Sequence, residues 1–354
     1  MKVYGIIMAG GGGTRFWPLS RIARPKQLIN LTGRDLMINE TIDRISSVIP
    51  KKDIFVVTNG VQYNEMVKAT ENRIQKAHIL SEPVGRNTSA CIGYAAMKLV
   101  KEYGDGIMCI FPADHYIKDE FGFSKVLQEA IEVAEEKDCL VTIGIKPTFP
   151  STGYGYIKYE PAATISKKVI EFKEKPQLDI AKKYVESGEY VWNSGMFIWK
   201  ASTILRKFEE LLPDIYSYLE KIGEAIVENK EKEVVNQIYK DIPSISIDYG
   251  IMEKSTDVEV LLGDIGWNDV GSFDSLEAVC EADGCGNINR GNNILIDTKN
   301  SVIYGNDKLI ATIGLDNVVV VDTEDALLVC KKEDTQRVKE IVDILKDKNM
   351  CKYI

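Results

Sequence analysis

Apolar residues in the first 150 positions of this chain follow two alternating rhythms. The runs "VYGIIMA", "IFVVTN", "AHILSE", "GIMCIFPA" and "CLVTIGI" are short and nearly continuously apolar, the pattern of buried strands. Between them, "DLMINETIDRISSVI", "VQYNEMVKATENRIQ" and "TSACIGYAAMKLVKEY" place apolar side chains at helical spacing. The alternation predicts βαβ units, and so an α/β fold: a Rossmann-like mixed, mostly parallel sheet with helices on both faces.

The rhythm breaks near Pro147. "GYGYIKY" and "KKVIEFKEKP" predict an antiparallel insertion, "YVWNSGMFIWK" a strand, and helical stretches are expected around 178–187 and 201–240. After Cys280 come short β runs punctuated by Asn, Gly and Asp. They predict a small C-terminal β domain, with a stub of coiled solenoid (a short left-handed β-helix) as its candidate form, closed by a helix at about 334–347. The expected division is a catalytic domain over 1–282 and a β domain over 283–354.

Composition narrows the field. At 354 residues the chain exceeds a single ordinary core. Its net charge of −9 argues against a nucleic-acid surface, which carries a basic patch. It leaves room for an anionic small substrate, because a few cations inside a cleft dominate locally. No apolar run approaches a membrane span, and the apolar start leads straight into glycines rather than a signal-peptide cleavage site. Seven cysteines without a CxxC pair point to reduced thiols and a cytoplasmic location. With only His78 and His115, a histidine-rich metal cage is excluded.

Candidate chemistry begins at "MAGGGGTRFWPLSRIARPKQ". A strand followed by glycines is how α/β proteins bring backbone N–H groups to phosphate oxygens. The run is neither G-x-x-x-x-G-K-[ST] nor G-x-G-x-x-G, so a P-loop NTPase and a standard dinucleotide fold are unsupported. Arg15 and Lys26 at its lip suit a triphosphate whose pyrophosphate must leave; the bland alternative is a tight turn at a sheet edge. Asp114, after "IFPA", falls at the carboxyl edge of the sheet, where such folds bind ligands, and its hard oxygens suit Mg²⁺. An Asp in that place more often serves as a turn former or helix cap, and Asp269 in "WNDVGS" would equally read as the cap of a following helix. Glu174 and Lys175 can be a solvated strand end, Gly155 a bulge, and Asn87 or Thr88 a helix N-cap.

The ordered blocks "AGGGGTRFWPLSR", "EPVGRNT", "FPADH", "STGYGYI", "FKEKP", "WNSGMF" and "WNDVGS" together resemble the sugar-phosphate nucleotidyltransferases over residues 2–280. Their "FWPLSR" wording is closest to the mannose-1-phosphate guanylyltransferase branch. That resemblance implies direct transfer of GMP from GTP to mannose 1-phosphate, giving GDP-mannose and pyrophosphate without a covalent intermediate. It implies Mg²⁺ on Asp114 and Asp269. Gly10, Gly11, Gly12, Gly13 and Thr14 would hold the nucleotide phosphates, and Glu82, Pro83, Gly85 and Asn87 the base. Gly155, Glu174 and Asn193 would hold the sugar, Lys175 the sugar phosphate, and Arg15 and Lys26 the departing pyrophosphate. His115 reads as structural.

Some relatives carry a further isomerase domain. The chain stops at Ile354 and its β tail holds no histidine, so a single activity is expected, with the tail packed on the catalytic domain or mediating a homodimer. Three readings compete with the leading one. They are transfer to glucose 1-phosphate from dTTP, UTP or ATP, a non-catalytic sugar-nucleotide sensor, and a nicotinamide oxidoreductase, whose glycine fingerprint is missing.

Overall fold

The buried apolar runs become the centre of a nine-stranded sheet in the computed structural model, which describes residues 1–354. The chain begins β1 (Val3–Met8), α1 (Met37–Ile45), β2 (Ile54–Asn59), α2 (Tyr63–Thr70), β3 (Ile79–Glu82) and α3 (Asn87–Tyr103). It continues with β4 (Ile107–Pro112), β5 (Tyr116–Ile117), α4 (Glu120–Lys137) and β6 (Leu140–Ile145). The irregular middle contributes β7 (Tyr156–Tyr159), β8 (Ser166–Lys173), α5 (Leu178–Ser187) and β9 (Tyr190–Lys200). Then come α6 (Ala201–Leu211), α7 (Pro213–Val227), α8 (Glu231–Ile238), β10 (Val258–Leu262) and β11 (Trp267–Asn268).

The sheet order is β3-β2-β1-β4-β9-β6-β10-β8-β7. The pairings β1–β2, β2–β3, β1–β4 and β6–β10 are parallel. β9 is inserted antiparallel between β4 and β6, and β7–β8 forms the expected antiparallel pair. The register of β6 on β9 shifts at Gly144, where a Cβ would lie 2.5 Å from Val191 Cγ2. Helix ends follow local chemistry. Asp119 accepts the Gly122 N–H at the start of α4, Pro213 opens α7, and Gly188 ends α5 in a left-handed conformation.

Two large apolar cores lie on opposite faces of this sheet. One gathers α3, α6 and α7 residues such as Ile92, Phe208 and Leu219; the other gathers Ile42, Phe123 and Leu127 from α1 and α4. Every strand whose carboxyl end reaches the site is therefore clamped from above and below, and the loops after β1, β3 and β4 stand on a rigid edge.

The C-terminal texture resolves into β12 (Ile288–Arg290), β13 (Asn293–Ile296), β14 (Val302–Tyr304), β15 (Ile310–Ile313), β16 (Val318–Asp322) and β17 (Leu327–Lys331). β12, β14 and β16 stack in parallel, as do β13 and β15, so successive turns lie on one another as in a coil. β17 turns back antiparallel on β16, and α9 (Val338–Asp347) closes the unit. A third core ties this unit to the start of the chain: Phe16, Trp17, Leu31 and Met37 pack with Phe273, Val302, Val319 and Val342. Trp17 Nε1 also donates to the Tyr353 carbonyl at 2.7 Å. All seven cysteines are free, and no helix is long and apolar enough to cross a membrane.

Candidate active site

The glycine run leaves β1 at the carboxyl edge and turns its carbonyls away from the cleft. Gln27 Nε2 donates to Ala9 O (2.7 Å) and Gly11 O (3.1 Å), and Asn59 Nδ2 donates to Gly10 O (3.2 Å). The N–H groups of Gly10, Gly11, Gly12 and Gly13 have no acceptor in the protein. Successive unpaired amides of this kind form an anion cradle. Gly13 has φ +56°, and a Cβ there would sit 2.5 Å from Lys26 Cβ. Only glycine lets the loop close on Lys26.

Two adjoining cavities follow. The larger, about 440 Å³, contains Gly10, Gly11, Glu82, Gly85 and Asn87 at one end, and Gly155, Glu174, Lys175 and Asn193 at the other. The smaller, about 250 Å³, is lined by Gly13, Thr14, Arg15 and Lys26. Asp114, His115 and Asp269 line both, so the two carboxylates stand on the border between them. Of the residues singled out from the sequence, only Gly12 and Pro83 line neither cavity.

Lys26 is 5% exposed and bridges the two carboxylate loops. Its Nζ donates to Asp114 Oδ2 at 2.9 Å and to the Asp269 carbonyl at 2.6 Å. Burial pushes the Asp114 carboxyl up, but Lys26, His115 and a backbone hydrogen bond together outweigh it and hold the group below the ordinary carboxylate range. Asp269 Oδ1 accepts from the Tyr154 hydroxyl at 2.7 Å. It caps no helix; Ser272 caps the following turn. Each carboxylate thus keeps one oxygen uncommitted to these partners. No group of three or more side chains that could hold a metal exists in the protein. Two carboxylates alone fit Mg²⁺, a hard cation that completes its octahedron with water and substrate phosphates. His115 accepts from Trp267 Nε1 at 3.1 Å through Nδ1, and burial pushes its imidazole down to about 4, in keeping with a structural role.

At the other end, Glu174 is nearly buried and its Oε1 pairs with Lys175 Nζ at 2.8 Å. Burial alone would lower the Lys175 ammonium; Glu174 more than offsets this and holds it above its ordinary value. Lys175 sits at φ +47°, its N–H donating to the Tyr154 carbonyl at 3.2 Å. A Cβ on Gly155 would come within 2.4 Å of Glu174 Oε2 and 3.2 Å of Asn193 Cβ, so these three residues form one close-packed corner. The Asn193 amide is largely committed to the protein. Its Oδ1 accepts from Thr142 and the Gly195 N–H, and its Nδ2 donates to Asp248 Oδ1 at 2.8 Å.

One expectation is corrected. Neither Asn87 nor Thr88 is the N-cap of α3; Arg86 occupies that position, without a side-chain cap bond. Asn87 adopts φ +63° and its Oδ1 accepts from the Thr88 N–H, while Thr88 Oγ1 takes the Ile247 N–H at 2.8 Å. The helix start is wedged against the 245–248 segment, which supplies what a cap would.

Four residues absent from the sequence reading belong to the site. Arg86 and Asp248 line the main cavity, Tyr154 holds Asp269, and Tyr239 donates to Glu82. Asp248 opens a single π turn, Asp248–Met252, and burial together with Glu174 pushes its carboxyl up to about 7. Tyr154 lies within the block "STGYGYI" and Arg86 within "EPVGRNT", so both were within reach; Asp248 and Tyr239 had no motif to mark them.

Residues 4–284 match the model of the Nucleotidyl transferase family. The chain belongs to this family. Residues 291–345 match a second model, the MannoseP isomerase/GMP-like beta-helix domain, in agreement with the stacked parallel strands. Among curated relatives, the xanthan biosynthesis protein XanB of Xanthomonas campestris is 43% identical over 96% of this chain and 73% of its own length. A protein of Vibrio cholerae described as a putative mannose-1-phosphate guanylyltransferase is 38% identical, over 98% of this chain and 75% of its own. A Thermus thermophilus crystal structure, described as a mannose-1-phosphate geranyltransferase, superposes with a TM-score of 0.88 at 32% identity. It covers 98% of this chain and 100% of its own.

Proposed function

We propose that this nucleotidyl transferase moves GMP from GTP to mannose 1-phosphate, releasing pyrophosphate and GDP-mannose. The observation that carries the reading is the position of Asp114 and Asp269 on the border of two cavities, one sized for a nucleotide and sugar, the other lined by Thr14, Arg15 and Lys26. A bond between the α- and β-phosphates that spans this border would break with its two products on opposite sides. The relatives named above support the choice of sugar and base.

An oxygen of the sugar phosphate attacks the α-phosphorus of GTP, the bond to the β-phosphate oxygen breaks, and that oxygen leaves with pyrophosphate. The attacking oxygen is already anionic near neutral pH, so no general base is needed and the protein's task is positioning and charge neutralisation. Lys175 orients the sugar phosphate, and Glu174 accepts from sugar hydroxyls. Gly10 to Gly13 offer N–H groups to the triphosphate, while Arg15 and Lys26 receive the charge that develops on the leaving group. Mg²⁺, held by Asp114, Asp269 and the phosphates, would supply further neutralisation of phosphate charge. Residues 1–282 form the catalytic unit in this scheme, and residues 283–354 support its glycine loop.

Pyrophosphate release tests the proposal, crossing GTP, ATP, UTP and dTTP against mannose 1-phosphate and glucose 1-phosphate. Release confined mainly to GTP with mannose 1-phosphate is expected. Better release with another pair would overturn the specificity, and binding of GDP-mannose without release from any pair would favour a sensor.

A further inference from the structure

The two oxygens of Glu82 are in different situations. Glu82 ends β3 and is only 4% exposed. Its Oε1 accepts from the hydroxyl of Tyr239, a fully buried residue just beyond α8. Its Oε2 has no protein donor and faces the glycine loop, 3.2 Å from where a Cβ on Gly10 would stand. Tyr239 is itself fixed: its ring meets the edge of Tyr94 at 6.1 Å, and Tyr94 Oη donates to Glu231 at 2.6 Å. Lys98 Nζ holds the other oxygen of Glu231 at 2.7 Å.

A phenol has one proton to give, and Tyr239 has no acceptor other than Glu82. Oε1 must therefore remain an acceptor in either state of the carboxyl, and any proton that Glu82 takes resides on Oε2. We propose that Tyr239 is a positioning residue which makes the purine preference of the site follow the protonation of Glu82. Ionised, Oε2 accepts from the N1–H and 2-amino group of guanine. Protonated, the same oxygen donates, which suits the N1 acceptor of adenine and opposes guanine. This rests on the reading that Glu82 faces the base.

The surroundings place the change in an accessible range. The titratable groups packed against Glu82 are Tyr239, and Tyr94 and Cys91 from α3, all of them raised by burial and neutral near pH 7. Arg86, on the loop beyond β3, lines the same cleft. Burial pushes the Glu82 carboxyl up to about 7, and the Tyr239 hydrogen bond pulls against it. Removing that bond moves the carboxyl further up.

The test is the ratio of Kd values for GTP and ATP between pH 6 and 9, with Mg²⁺, in the wild type, Tyr239→Phe and Glu82→Gln. Titration of the phosphates, common to both nucleotides, cancels in the ratio; loss of guanine's own N1 proton enters only at the alkaline end of the range. The wild type should show a constant preference for GTP at high pH that falls by up to about tenfold per unit below the Glu82 transition. Tyr239→Phe should shift that transition to higher pH while leaving the KM for mannose 1-phosphate unchanged, and Glu82→Gln should abolish it. A transition at the same pH in Tyr239→Phe, or a flat ratio in the wild type, overturns the inference alone. A protein that binds neither purine triphosphate overturns the base-site reading and this inference with it. If Tyr239→Phe does not fold, a wild-type transition that persists in Glu82→Gln still overturns the inference.

Discussion

Lys26 Nζ lies 2.9 Å from Asp114 Oδ2 and also binds the Asp269 carbonyl, so one buried ammonium holds together the two loops that carry the carboxylates. It serves position and charge at once. Lys26→Ala should lower kcat by ~10²–10³-fold, the usual cost of losing a preorganised charge at a developing anion. Lys26→Arg should not restore it, since a planar fork does not fit a site closed by Gly13. Steady-state pyrophosphate release checks both, and near-native turnover in Lys26→Ala would remove the assigned role.

The carboxylates differ in their company, Asp114 beside an ammonium and Asp269 beside a phenol. Asp114→Asn and Asp269→Asn should each raise the Mg²⁺ concentration needed for half-maximal rate by at least about tenfold. A chelator should stop turnover without lowering the thermal midpoint of the free protein, because Lys26 already holds the loops. A midpoint that drops with chelation would show a resident structural metal instead.

Gly155→Ala places a methyl against Glu174 Oε2 and Asn193 Cβ. Glu174 must give way, and its pairing with Lys175 through Oε1 shifts with it, so the corner assigned to the sugar opens. The KM for the sugar phosphate should rise by ~10-fold or more, with the KM for GTP changed less than about twofold, since displacements near 1 Å are costly in such sites. Equal changes in both constants would mean that the corner does not belong to the sugar.

Asp248 gives a pH dependence with a definite sign. Its carboxyl sits at about 7 in the fold against 3.8 ordinarily, with burial the main cause and Glu174 adding to it. The folded protein therefore holds this proton more tightly than the unfolded chain. The stability it confers is full below pH ~4 and declines as pH rises through about 7. Asp248→Asn should flatten the curve of thermal midpoint against pH between 5 and 8, and exceed the wild type at pH 8. Parallel curves would rule out Asp248 as the titrating group.

Much of the fold was legible because alternating strand and helix rhythms mark βαβ units, and the boundaries of α5 and β9 fell where the apolar spacing put them. Asp114, Asp269, Glu174 and Lys175 were marked only through the resemblance of their blocks, since each residue alone also reads as a turn former, a cap or a solvated strand end; in the fold all four line one cleft. Asp248 and Tyr239 had no such mark. Each sits in a segment whose local pattern is ordinary helix and turn, and each acquires meaning only through a partner far away in sequence: Asn193 for one, Glu82 for the other. Asn87 misled for a related reason, since its usual capping habit yields here to tertiary contacts with 245–248.

The core shared by Phe16, Trp17, Val302 and Val342 makes the glycine loop depend on distant parts of the chain. Burial of such side chains contributes about 1.5–3 kcal/mol each, and here both halves of the contact are needed. The glycine loop and the residues that cover its apolar underside lie far apart along the sequence, so the loop's support is wholly tertiary. Loosening the packing of Val302 and Val342 would therefore leave Phe16 and Trp17 uncovered and disturb the loop just before them without touching any residue that lines the larger cavity.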